Sequence, residues 1–159
     1  MRKRLGRGGV GKTIVMGLLE RHGDIRLKVI PNTKRKTLYN EVKQKIEKGS
    51  EVFTDAFPAY NGLENFYLHK IIEHTETYVK GNVHTNGIEN FWSLFKRGII
   101  GVYHAVEPFH LDRCLDEFSA RFNSLKDSDF ERFSKTVKSI AGIRLTYGEL
   151  IGKLEGTRC

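Results

Sequence analysis

Apolar positions fall into runs of different period along this chain, and each period predicts an element. Thr13 to Leu19 is almost unbroken apolar sequence, which predicts a buried strand, and His22-Gly23-Asp24 predicts the turn that ends it. Ile25 to Ile30 alternates apolar with charged residues, the period of a half-buried strand, so the two runs form a hairpin. Pro31-Asn32 stops the second strand. From Lys34 to Lys48, Leu38, Val42 and Ile46 recur at steps of four, predicting an amphipathic helix closed by Gly49. The next strand, 51–54, delivers Asp55.

A short helix or turn is expected around 59–62, a short strand at 70–72, and a polar loop beyond it. Ile88, Phe91, Trp92 and Phe95 stand at i, i+3, i+4 and i+7, one buried helical face. A further helix after Pro108 carries the stripe Leu111, Leu115, Phe118, Phe122 and Leu125. Strands early and helices late predict an α/β domain over 13–125. A basic, Gly-rich arm (1–12) precedes it. A polar extension (126–159), with helices near 129–140 and 146–154, follows.

Composition narrows the partners. A chain of 159 residues suits one domain with its own core. Its 27 Lys and Arg against 19 Asp and Glu give a formal charge of +8, which points to a polyanion such as DNA. The two cysteines, Cys114 and Cys159, exclude a disulfide framework and a Cys-rich zinc site, consistent with a reducing cytoplasm. No apolar run approaches the roughly 20 residues of a membrane span, and the start does not read as a signal peptide. The expected location is cytoplasmic, with no membrane partner.

Gly6-Arg7-Gly8-Gly9-Val10-Gly11-Lys12-Thr13 matches the phosphate-loop pattern. That loop works only between a buried strand and a helix whose N-terminus aims at the phosphates. Five residues, three of them basic, precede Gly6, and β-prone Ile14 and Val15 follow Thr13. The segment therefore reads as a basic arm before a strand, able to touch a DNA backbone, and no nucleotide cofactor is expected.

The stretch from His84 to Gly101 carries the candidate chemistry. Metal-assisted cleavage or joining of a phosphate backbone needs carboxylates that hold divalent ions beside the attacking and leaving oxygens. Asp55, leaving a strand, and Glu89, in the first turn of a helix, are suitable types on rigid supports. Lys96, two turns after Glu89 on nearly the same face, and Arg97 can meet the DNA backbone. Structural alternatives stand beside these. Asp55 can open a turn, and Asn86 with Glu89 can form a capping box. Trp92 belongs to the apolar stripe and reads as core. His69, His74 and His84 lack zinc-site spacing; His84 remains a candidate phosphate contact.

Val52-Phe53-Thr54-Asp55, Ala59-Tyr60, His69-Lys70, Tyr78-Val79, the whole of Asn82 to Gly101, Tyr103-His104, His110-Leu111 and Glu117-Phe118 together resemble the ISXO2-like transposase domain of IS1595-type bacterial insertion sequences. The similarity runs from about Gly8 to about Asn123. It implies an RNase H-like fold, a mixed sheet flanked by helices, and DDE-type chemistry. In that chemistry Mg²⁺ (or Mn²⁺) helps water, then a 3′-hydroxyl, attack DNA phosphates at the element ends and the target, without a covalent enzyme intermediate. Asp55 matches the family's second acid. The third position varies between Glu and Asn, so it falls on Glu89 or Asn86, and Glu89 is favoured because a negative oxygen suits Mg²⁺ better than an amide. Lys96 matches the basic residue that follows. The family's glycine-rich stretch is an ordinary lead into a strand, which also removes the phosphate-loop reading.

The family's first Asp lies on an upstream strand, and this chain has no acidic residue before Glu20. The first strand and first metal ligand are therefore expected to be missing, leaving an inactive fragment with open sheet edges prone to self-association. The alternative is a non-catalytic DNA-binding remnant; on either reading the protein is expected to be nucleoid-associated when bound to DNA. Arg7, Lys12, His84, Lys96 and Arg97 are the expected DNA contacts.

Overall fold

A hairpin lies at the centre of the fold. Strands β1 (Ile14–Leu19) and β2 (Ile25–Ile30) pair antiparallel, Ile14 opposite Ile30 and Leu19 opposite Ile25. The computed structural model describes residues 12–72 and 86–152, with the Asn86 side chain outside that set. Asp24 sits in the hairpin turn as expected. Its carbonyl accepts from Glu20 N at 3.0 Å, and His22 takes a left-handed φ of 61°.

Because side chains alternate across a strand, the hairpin buries both faces. Met16 and Ile30 meet Leu38 and Val42 of helix α1 (Arg35–Lys45) on one side. On the other side, Ile25 with Val15, Leu19, Leu27 and Val29 meets helices α2 (Asn86–Gly98) and α3 (Leu111–Asn123). Burial on both faces explains the unbroken apolar run of β1. The charged positions of β2 fall on the α1 side, where Lys28 Nζ pairs with Glu41 at 2.7 Å.

Strands β3 (Glu51–Thr54) and β4 (Leu68–Ile71) pair in parallel, Glu51 opposite Leu68. Val52 enters the cluster of Met16, Leu38 and Val42, so α1 covers both strand pairs. The family resemblance implies one mixed sheet. Among the described residues there are instead two two-stranded sheets, joined by side chains rather than by a ladder. Besides Val52, the Arg21 guanidinium lies 4.6 Å from the centre of the Phe53 ring.

Further differences have local causes. Helix α1 stops at Lys45 because Ile46 turns extended (φ −118°, ψ 129°), which sends its side chain into the core. Gly49, at φ 88°, then makes the turn into β3. Helix α2 runs on into a π-helical turn, Ile99–Tyr103, for which the sequence carries no warning. Leu125 falls beyond α3 and is 66% exposed, so it is not part of the stripe. Helix α4 (Asp129–Ile140) keeps its predicted bounds, whereas α5 (Tyr147–Leu150) is a single turn.

The end of α3 is tied to the start of β2 by Asn123. Its Oδ1 accepts from Ile25 N at 2.7 Å and its Nδ2 donates to Ile25 O at 3.0 Å. Ile25 is 1% exposed and both bonds are partly buried, although Asn123 itself is exposed, so Asn123→Ala removes both side-chain partners of the Ile25 backbone. The expected loss is about 1–3 kcal/mol, read from the urea midpoint. A loss under about 0.5 kcal/mol would show that the two elements dock without this amide.

Candidate functional site

β3 carries Asp55 out to solvent just past its last paired residue. Asp55 Oδ1 accepts a long hydrogen bond from Phe57 N at 3.4 Å, next to the 3-10 turn Pro58–Tyr60. This is the turn-opening contact expected of Asp at such a position, and it leaves the carboxylate facing outward. Tyr60 stands close by: burial pushes its phenol above the ordinary range, and the Asp55 charge adds to that. Periodicity alone does not point to Tyr60 as a neighbour of Asp55.

Glu89 lies in the first turn of α2 and is exposed, where the positive end of the helix dipole favours an acid. Helix α2 is held by its opposite face. Phe91 is 2% exposed and meets Phe122 edge-on at 5.3 Å, and Phe95 meets Phe118 at 5.1 Å. Trp92, half-buried in the same cluster, is core as the stripe predicts.

Two glycines let α2 approach β1. A Cβ on Gly17 would lie 2.7 Å from Trp92 Cζ2, and one on Gly87 would lie 2.8 Å from Leu19 Cδ2. A glycine inside an apolar strand is the sequence signal of such close approach.

Lys96 and Arg97 occupy the last turn of α2, both exposed. Seven residues at 1.5 Å rise place Lys96 about 10 Å along the axis from Glu89 and within about 20° of its face. An acid and a cation thus share the solvent side of one rigid helix. Lys12 is exposed just before β1, and a strand rather than a helix follows Thr13, so the flank a phosphate loop requires is absent there. Arg7, His74, His84 and Cys159 lie outside the described residues. Asn86 is the first residue of α2, but its side chain lies outside the described set, and with it the capping-box alternative.

His69 has a structural place. It bonds Thr54 Oγ1 at 2.8 Å and faces Glu64 at 3.7 Å, which occupies both ring nitrogens. Among the described residues, no group of three or more His, Cys, Asp and Glu side chains is gathered to hold a metal. The candidate donors, Asp55 and Glu89, are hard carboxylate oxygens on exposed residues. They suit Mg²⁺, which keeps several waters and takes only one or two carboxylates. No helix among the described residues is long and apolar enough to cross a membrane.

Residues 1–123 match the family of ISXO2-like transposase domains. A Haemophilus influenzae protein described as an uncharacterized transposase-like protein is 31% identical over 97 residues, covering 60% of this chain and 78% of that protein. No solved structure matches the chain.

Proposed function

We propose, from the premise that this chain belongs to the ISXO2-like transposase domain family, that it is the larger part of a DDE-type catalytic domain acting on insertion-sequence DNA. The observation that carries this is the family match itself, which spans both Asp55 and Glu89. The fold is read as RNase H-like over 13–125, flanked by the arm 1–12 and the extension 126–159. In such a sheet the strand bearing the first acid is central. The separation of β1–β2 from β3–β4 across a shared α1 supports that reading.

Asp55 and Glu89 are the metal-holding carboxylates, with Asn86 the alternative to Glu89. The chemistry supplied by bound Mg²⁺ or Mn²⁺ is activation of the attacking oxygen and stabilisation of the leaving one. The chain's own contribution is to hold the two carboxylates on a strand end and a helix. Lys96 and Arg97, with Arg7, Lys12 and His84, fix the DNA backbone, and the +8 charge draws DNA in. The site of action is DNA in the bacterial cytoplasm.

No Asp or Glu precedes Glu20, so on this reading the 159 residues alone bind DNA without joining it. The test is Mg²⁺-dependent strand transfer on DNA carrying the element ends. The 159-residue chain is expected to give none, and a chain extended upstream by an Asp-bearing strand is expected to give product. Strand transfer by the 159 residues alone would overturn their incompleteness. DNA binding without transfer by the extended chain would favour the non-catalytic remnant.

A further inference from the structure

Beyond residue 123, where the family match ends, α4 presents Phe130, Phe133, Val137 and Ile140 along one stripe. Their steps of three, four and three are those of a coiled-coil seam. The four side chains are 78, 67, 45 and 59% exposed, and no residue of α4 is buried. A helix of this length is marginal in water unless its apolar face is packed. Its described supports gather at its first two turns. They are the Ser128–Glu131 capping box and the pairs Arg132–Asp129 and Lys135–Asp127.

We propose that a second copy of this chain covers the stripe, the two α4 helices lying antiparallel about a two-fold axis. Three features favour this occupant. Steps of three, four and three read the same in both directions, so reversal sets Phe130 against Ile140 and Phe133 against Val137 of the other copy, a large ring facing a smaller side chain at each level. Charge follows the same symmetry. Asp129 and Glu131 stand in the first turn, Lys138 stands in the last with Arg144 beyond it, and neither cation has an ion pair among the described residues. Antiparallel docking brings these cations toward the acidic turn of the other copy and opposes the helix dipoles, whereas parallel docking sets like against like.

Area is the third feature. Just beyond α4, Ile143 and Leu145 are 72 and 56% exposed and bring the exposed apolar side chains of this segment to six. Aromatic side chains present on the order of 150–250 Å² and aliphatic ones less, so the six offer on the order of 600 Å² per copy. A two-fold pair that covered all six would remove on the order of 1,200 Å² from water, at the lower end of the range of specific interfaces. The inference does not depend on the DNA chemistry proposed above.

Sedimentation equilibrium of the full chain across the micromolar range is expected to give the mass of two copies. Phe133→Asp with Val137→Asp is expected to give one copy, with the Trp92 near-UV signal unchanged, since neither side chain belongs to the core. With Cys159→Ser to remove a competing thiol, Ser134→Cys is expected to cross-link the copies under mild oxidation. An antiparallel pair sets this position beside its own image, and a parallel pair does not. A single-copy mass throughout, a dimer that survives the double change, or a dimer that Ser134→Cys cannot cross-link would overturn the proposal.

Discussion

On the proposed reading, in a chain extended upstream by an Asp-bearing strand, Asp55→Ala is expected to lower Mg²⁺-dependent strand transfer by on the order of 10³-fold, about 4 kcal/mol of transition-state stabilisation. The size follows from the role: a carboxylate that holds an ion against the reacting phosphate acts where charge develops, and water is a poor replacement. Asp55 is exposed, and among the described residues its side chain makes one long hydrogen bond, to Phe57 N at 3.4 Å, so its loss should change stability by less than about 0.5 kcal/mol. DNA affinity should stay within about two-fold or tighten, because the change removes a negative charge from a residue proposed to lie beside the DNA. Single-turnover strand transfer read beside DNA binding separates these effects. Equal loss of both would make Asp55 a folding or contact residue. Glu89→Ala should match the Asp55 result while Asn86→Ala keeps activity, and the reverse would assign the third position to Asn86.

How legible each element is depends on what holds it. The hairpin and helices α2 and α3 are held by apolar faces, so their period is written in the chain. Ile88, Phe91, Trp92 and Phe95 mark α2 without help from tertiary structure. β4 is held by its ladder to β3, with Leu68 65% and Ile71 49% exposed, and hydropathy places its start two residues late. Helix α1 loses its last turn because burying Ile46 outweighs one more helical bond, a tertiary preference that no local pattern records. The division into two sheets is a matter of strand neighbours, which alternation does not encode.

The site divides along similar lines. That Asp55 leaves a strand and Glu89 opens a helix follows from residue spacing, and the structure places both there. Their pairing as metal ligands comes from the family resemblance, since an exposed carboxylate in a first turn serves a cap as readily as an ion. Tyr60 beside Asp55, and the close approach that Gly17 and Gly87 permit, depend on distances between elements.

Phe91→Ala is expected to cost about 3–5 kcal/mol, much of the 5–15 kcal/mol that holds a typical domain. Its ring stacks on Phe95 at 6.1 Å and meets Trp92 and Phe122 edge-on at 5.4 and 5.3 Å, so truncation leaves a cavity where α2, α3 and the hairpin converge. The surrounding rings are fixed by one another and cannot collapse far to fill it. Urea unfolding followed by Trp92, the single tryptophan, reads the loss directly. A cost under about 1 kcal/mol would mean that α2 is not docked on this core. The consequence reaches the site, because Glu89 and Lys96 ride on the opposite face of the same helix. In a chain supplied with the first acid, Phe91→Ala should therefore lose strand transfer through loosened α2 geometry and regain part of it on cooling from assay temperature toward the stability maximum. Asp55→Ala, which removes a ligand rather than a support, should regain none.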